Sequence, residues 1–169
     1  MIRRINLFFI IFFLLSAKAY SLIEIDITRG NLDPLPIAVS PLFQDDNSKR
    51  NSFNELKIEN VGSEISLVVE NNLKISGLFN PLGKEAFLQK PDIAHLKPRF
   101  EDWALIKAQA LITGKVTIED KKLKVEFRLW DILAGREMMA LAFTTVPSNW
   151  RRVGHIISDK VYERLTGEK

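Results

Sequence analysis

The chain has no cysteine among its 169 residues. Disulfides and thiolate metal sites are therefore excluded, and so is a lipid-modified cysteine. Histidine is nearly as scarce, with only His95 and His155, so a zinc site would have to draw carboxylates into its ligand set. No P-loop is present: Leu111-Ile112-Thr113-Gly114-Lys115 lacks the first glycine and the spacing. Neither G-x-G-x-x-G nor G-x-S-x-G occurs. No repeat of about 40 residues suggests propeller blades. Charge of one sign is also missing. The formal charge is +3, but Arg3, Arg4 and Lys18 lie in an acid-free N-terminal stretch; without them 21 basic residues face 21 acidic ones. A neutral, mixed surface gives no electrostatic reason to bind nucleic acid.

The long hydrophobic run is confined to the first residues. Arg3 and Arg4 precede the unbroken apolar stretch Leu7 to Leu15, and Ala17-Lys18-Ala19 supplies a small-x-small pattern. This predicts a signal peptide over residues 1–19, cut after Ala19. The rival reading is a membrane anchor. Nine apolar residues at about 1.5 Å each cover roughly half of a bilayer core, which favours the cleaved leader and an exported chain with no integral anchor after cleavage.

Beyond the leader, Ile23, Ile25 and Ile27 alternate with Glu24, Asp26 and Thr28, a period of two that predicts a strand. Two readings stay open for it: an ordinary edge strand, or a detachable arm that adds to a partner's sheet, with residues 30–34 as hinge. Pro36 to Ser40 reads as a short buried strand. The polar stretch Gln44 to Asn54 reads as a surface loop. Ile58, Val61, Ile65, Val68, Val69 and Leu73 recur at helical spacing, with Gly77 placed to end the helix. A short strand near Leu78, a helical turn within Lys84 to Gln89 and a short helix from Arg99 to Ile106 anchored by Trp103 follow. Three strands are then expected at Ala110 to Glu119, Leu123 to Trp130 and Met139 to Thr145, joined by hairpin turns. A last helix, N-capped by Ser148 or Asn149, buries Trp150, Val153, Ile157, Val161 and Leu165. Two amphipathic helices over one face of a five- to six-stranded mixed sheet give an α/β (α+β) two-layer sandwich.

Few residues invite chemistry. His155 and Asp159 stand four apart on the last helix. They are either an ordinary ion pair or, with Ser158, the elements of a catalytic or metal-binding group. Three residues on one helical turn seldom place a base between nucleophile and orienter, so no catalytic residue, metal ligand or cofactor is assigned. Trp130 falls on the polar side of its strand, where it either lies under the Arg99–Ile106 segment or marks a contact surface. Core is the better reading for a tryptophan.

Six motifs in order resemble the amino-terminal domain of the TolB family. They are Thr28-Arg29-Gly30; Pro36-Ile37-Ala38-Val39 with Pro41-Leu42-Phe43; Ser76 to Leu82; Trp103 with Gln109 to Val116; Phe127 to Asp131; and the closing run from Trp150 to Gly167. The resemblance implies a fold like the anticodon-binding domains of some tRNA synthetases. It also implies a non-enzymatic periplasmic adaptor of the Tol-Pal envelope system, which supports outer-membrane integrity and cell division. In that family the mature N-terminal segment binds the C-terminal domain of TolA. Carried over, contact falls on Ile23, Glu24, Ile25, Asp26, Ile27, Thr28, Arg29 and Gly30. Pal binds mainly the β-propeller that follows this domain in the family and that these 169 residues do not include, so the resemblance leaves Pal open as a partner. The implied organisation is a leader over 1–19, a partner-binding strand and hinge over 20–34, and the α/β domain over 35–169. The competing expectation is a stand-alone envelope-assembly module, related to outer-membrane activators of peptidoglycan synthases or curli-type secretion proteins. The absent lipid-bearing cysteine counts against it.

Overall fold

The computed structural model describes residues 23–25 and 33–168. The leader and most of the expected N-terminal strand lie outside them. The described chain builds a six-stranded mixed sheet from β1 (Leu35–Val39), β2 (Phe43–Gln44), β3 (Phe79–Pro81), β4 (Ala110–Glu119), β5 (Lys122–Asp131) and β6 (Arg136–Thr145). The order across the sheet is β3-β1-β4-β5-β6, and β2 continues the line of β1 alongside β4. β1, β2 and β3 run parallel to their neighbours, whereas β4, β5 and β6 form an antiparallel meander. Pro36 is tolerated in an interior strand because it sits below the first β1–β4 pair, Ile37 with Ala110, where no ladder donor is required.

The helices are α1 (Asp46–Leu56), α2 (Val61–Ile75), α3 (Pro91–Ala94), α4 (Phe100–Leu105) and α5 (Trp150–Thr166). Val61, Ile65, Val69 and Leu73 form one stripe of α2, and Val153, Ile157, Val161 and Leu165 one stripe of α5; all are buried. They meet Ile37, Val39, Ile112, Val116, Val125, Phe127 and Leu129 from one face of the sheet. The two helices are in tight contact at Gly154, where a methyl group would lie 2.8 Å from Val68 Cγ1. This is the two-layer arrangement the periodicity predicts. The opposite face is partly covered as well. Ala38, Leu111, Trp130 and Ile132 point into a second, smaller core with Trp103 and Ala94. Trp130 is buried beneath α4: its ring meets Phe100 edge-on, and its Nε1 donates to Thr113 Oγ1 at 2.8 Å.

The expected loop at Gln44 to Asn54 is instead mostly α1. Asp45 is its N-cap, accepting from Ser48 N at 2.8 Å, and Lys57 ends it in the left-handed region. Its inward face is polar rather than apolar. Ser48 Oγ accepts from Ile118 N at 3.2 Å, Asn51 Nδ2 donates to Ile118 O at 2.7 Å, and Ser52 Oγ donates to Ile58 O at 2.6 Å. A helix docked by hydroxyl and amide groups leaves no hydrophobic period to read. α2 starts at Val61, later than the apolar spacing suggests, because Asn60 takes the cap and accepts from Ser63 N at 2.9 Å. At α5 the residue in the cap position is Asn149, but its amide donates to Thr145 Oγ1 and makes no cap bond. A 3-10 turn over Pro147–Asn149 leads into the helix instead.

Candidate partner-docking site

The three described residues of the N-terminal segment lie against the end of α5 and the turn after β5. Ile25 N donates to Leu165 O at 2.7 Å, a carbonyl in the last turn of α5. Ile23 N donates to Asp131 Oδ2 at 3.3 Å. Asp131 is fully buried, and its other oxygen accepts from Ala134 N at 2.9 Å, which closes the β5–β6 turn. One carboxylate thus ties the hairpin and the N-terminal segment together. Ile23 and Ile25 are half-buried against the main core, and Glu24 between them is exposed. The alternation in the sequence is therefore real in these residues, but it is not a strand: residues 23–25 join no ladder of the domain sheet. The ordinary edge-strand reading fails there. Asp26, Ile27, Thr28, Arg29 and Gly30 lie outside the described residues.

Beside this segment opens a cavity of about 400 Å³, walled by Ile23, Met139, Lys160 and Arg164. Arg164 Nε reaches Met138 O at 3.5 Å, and Lys160 pairs with Glu163 at 2.8 Å. Met138 is the extra residue of a bulge, where Leu129 pairs with Met139 and Trp130 with Glu137. Bulges commonly re-aim or end the pairing of an edge strand. From sequence Leu165 is legible only as a core position and Asp131 only as the end of a family motif; neither is assigned a contact with the N-terminal segment, and the bulge is not expected. The local signal for a turn tie is Asp131 closing an alternating strand ahead of Ala134-Gly135.

The residues that invited catalysis are arranged otherwise. His155 Nδ1 lies 2.8 Å from Asn72 Nδ2 on α2, and the same amide donates to Ser158 Oγ at 3.1 Å. Ser158 donates to Gly154 O at 2.9 Å, so its proton is held by its own helix. Asn72 thus engages both His155 and Ser158 and links α5 to α2. His95 Nδ1 lies 3.0 Å from Pro91 O, and the ring stacks on Phe43. Among the described residues no three His, Asp or Glu side chains gather as metal ligands, and no helix is long and apolar enough to cross a membrane.

These features define a two-layer α/β domain that holds Ile23 and Ile25 against the end of α5 and the turn after β5. The family model of the TolB amino-terminal domain matches residues 23–138, and the chain belongs to that family. It is 75% identical over 161 residues to the Tol-Pal system protein TolB of Pelagibacter ubique (strain HTCC1062), a match that covers 95% of this chain and 36% of that protein. The chain thus spans about a third of the length of that relative. The crystal structure of TolB from Acinetobacter baumannii superposes with a TM-score of 0.62 at 21% identity, over 80% of this chain and 29% of the other. The LpoB C-terminal domain from Salmonella enterica gives a TM-score of 0.43 at 10% identity, over 80% and 92%.

Proposed function

We propose that this chain is a periplasmic, non-enzymatic adaptor of the Tol-Pal envelope system and that it presents Ile23 to Gly30 to the C-terminal domain of TolA. The observation that carries the reading is the mode of attachment of Ile23 and Ile25. Among the described residues the Ile23 and Ile25 N–H groups are held by Asp131 Oδ2 and Leu165 O, and their side chains are half-buried; these are the backbone groups for which a partner's sheet edge would compete. The 75% identity to a Tol-Pal TolB supports the system. Residues 1–19 act as the export signal, and residues 20–34 as arm and hinge. Pal gains little from this domain, because the family's propeller is its main seat. Nothing in the geometry favours the stand-alone envelope-assembly reading.

The test is a titration of isotope-labelled residues 20–169 with the TolA C-terminal domain, followed by NMR. Shifts concentrated in Ile23 to Gly30 are expected. Deleting those eight residues should remove binding while the remaining spectrum stays dispersed. Equal affinity of the deletion variant would sink the arm assignment.

A further inference from the structure

The sheet ends differently at its two edges. β3 closes one edge with three residues, the last of them Pro81, and a short strand with a proline resists further pairing. β6 closes the other edge with ten residues. Its stretch from Met138 to Phe143 contains no charge, proline or glycine, so it lacks the usual protection of an edge. Among the described residues β5 is its only strand neighbour. Ala140, Leu141 and Ala142 are exposed, Leu141 by 38%. The bulge at Met138, whose carbonyl Arg164 approaches, ends regular pairing at that side. The edge open to a further strand therefore runs from Met139 to Phe143.

This short edge matches itself. Residues opposite each other in an antiparallel pair share a face of the sheet. Met139, Leu141 and Phe143 stand beside Leu129, Phe127 and Val125, on the helix side. With a two-fold axis through Leu141, that residue meets Leu141 of a second copy, and Met139 meets its Phe143. On the other face Ala140 meets its Ala142. Large side chains thus oppose large ones and small oppose small. The charges agree with this register. On the alanine face Arg128 stands beside Ala140 and Glu126 beside Ala142, and together they wall a groove of about 190 Å³. Both already have partners in their own chain: Arg128 has Glu137 and the His95 carbonyl, and Glu126 has Lys124. The four side chains of these ion pairs are still 41–50% exposed. Across the axis each Arg128 falls in one row with Glu126 of the second copy, three strand spacings or about 14 Å away between backbones, with only alanines between. An axis through Ala140 or Ala142 would instead align Arg128 with Arg128 or Glu126 with Glu126. Because these groups are already paired, the rows select register more than they add affinity.

We propose that β6 pairs antiparallel with β6 of a second copy of this chain, in a two-fold dimer centred on Leu141. An isologous contact of this kind uses up the edge and closes at two copies. Five residues a side bury less than the roughly 1,000 Å² of a stable interface, so the dimer is weak, with a Kd on the order of 0.1–1 mM. The proposal does not depend on the reading of the N-terminal segment.

The experiment follows residues 20–169 by sedimentation equilibrium and by amide NMR shifts between about 0.05 and 2 mM, a range that brackets the expected Kd. A monomer–dimer equilibrium is expected, with dilution shifts centred on Ala140, Leu141 and Ala142. Leu141→Lys places a charge on the axis and should weaken association at least about tenfold. E126R and R128E each put like charges into the cross-copy rows, and each should weaken association about threefold; an equimolar mixture of the two restores opposite charges and should associate about as well as wild type. Mixing cannot repair a misfolded chain, and a dispersed spectrum of each variant checks its fold. A monomer at every concentration, growth beyond a dimer, dilution shifts away from β6, undiminished association of L141K, or a mixture no better than its components overturns the proposal. Shifts at Leu141 that appear only on adding the TolA C-terminal domain also overturn it, and assign the edge to that partner.

Discussion

Asn51 Nδ2 donates to the backbone carbonyl of Ile118 at 2.7 Å, and one turn earlier Ser48 Oγ accepts from the N–H of the same residue. β2 pairs with β4 only at Lys115 and Val116. At Ile118 the edge of β4 has therefore lost its strand neighbour, and α1 supplies side-chain groups in its place. An exposed strand edge is a template for unwanted pairing, and covering it is one of the ways proteins suppress that. Replacing Asn51 by Ala should lower stability by about 1 kcal/mol, the usual net loss for one such bond. Urea unfolding of N51A against wild type measures it. An unchanged midpoint would mean that α1 does not depend on this bond to stay docked.

Asp45 gives α1 a pH dependence of known sign. The Ser48 N–H bonded to its carboxylate holds its pKa below the ordinary value of 3.8, with smaller help from Lys115 and opposition from burial. A depressed carboxylate contributes stability that is fully present above the unfolded value and is lost as pH falls through the folded one. Asp45→Ala should therefore cost roughly 0.5–2 kcal/mol near neutral pH, as N-cap losses do. The difference from wild type should shrink below about pH 4. Paired denaturation curves at pH 7 and pH 3 test this; a gap that stays constant or widens in acid would refute the cap.

Gly154 is fixed by packing. A methyl group there would lie 2.8 Å from Val68 Cγ1 and 2.9 Å from Val68 Cβ. Contact with the Cβ means that Val68 cannot escape by rotating its side chain. Gly154→Ala should destabilise by about 1–3 kcal/mol through overpacking. Val68→Ala should recover part of that loss in the double variant, a coupling that thermal denaturation of all four proteins would reveal. Additive losses would show that the α2–α5 crossing is looser than its geometry suggests.

What the sequence disclosed follows the physics of each element. The meander and α5 were readable because their apolar residues recur at periods of two and 3.6. Trp130 was readable as core despite its polar neighbours, since a tryptophan on the nominally wet side of a strand demands a cover, and α4 provides it. α1 was not readable, because Ser48, Asn51 and Ser52 dock it without an apolar stripe. The N-terminal segment was half readable: Ile23 and Ile25 do face inward and Glu24 outward, but period two says nothing about whether the backbone finds a ladder. Here it finds Asp131 and the end of α5 instead. The family resemblance rested on motifs that prove structural, such as Pro36 at the ladder's start and the glycine after α5. The contact between Asn72 and His155 joins residues 83 apart in the chain, beyond anything a local pattern encodes.

Asp131 is where the fold and the proposed function meet. Replacing it by Asn keeps an acceptor for Ala134 N but turns a donor toward Ile23 N–H. The hairpin should survive while the N-terminal segment loosens. Amide exchange in D131N should speed up at Ile23 and Ile25 and stay slow in β4 and β5. Affinity for the TolA C-terminal domain should then rise, by up to the inverse of the fraction of time the wild-type segment is free. Faster exchange with unchanged affinity would separate docking of the segment from partner binding.

The β4–β5 turn allows the opposite kind of change. Asp120 and Lys121 both hold positive φ, 48° and 58°, the backbone of a type I′ turn, which favours Asn-Gly or Asp-Gly. Lysine has no local hydrogen bond to recommend it there and carries the Cβ penalty of the left-handed region. Lys121→Gly should therefore stabilise the domain, by about 0.5–1 kcal/mol, because relief of native strain exceeds the extra entropy that glycine gives the unfolded chain. The turn and Asp131 lie at opposite ends of β5, so the change should leave partner binding untouched. A calorimetric melt showing a rise of a few degrees would agree. A fall would mean that the unfolded-state entropy outweighs the strain, and that the turn is already well suited to lysine.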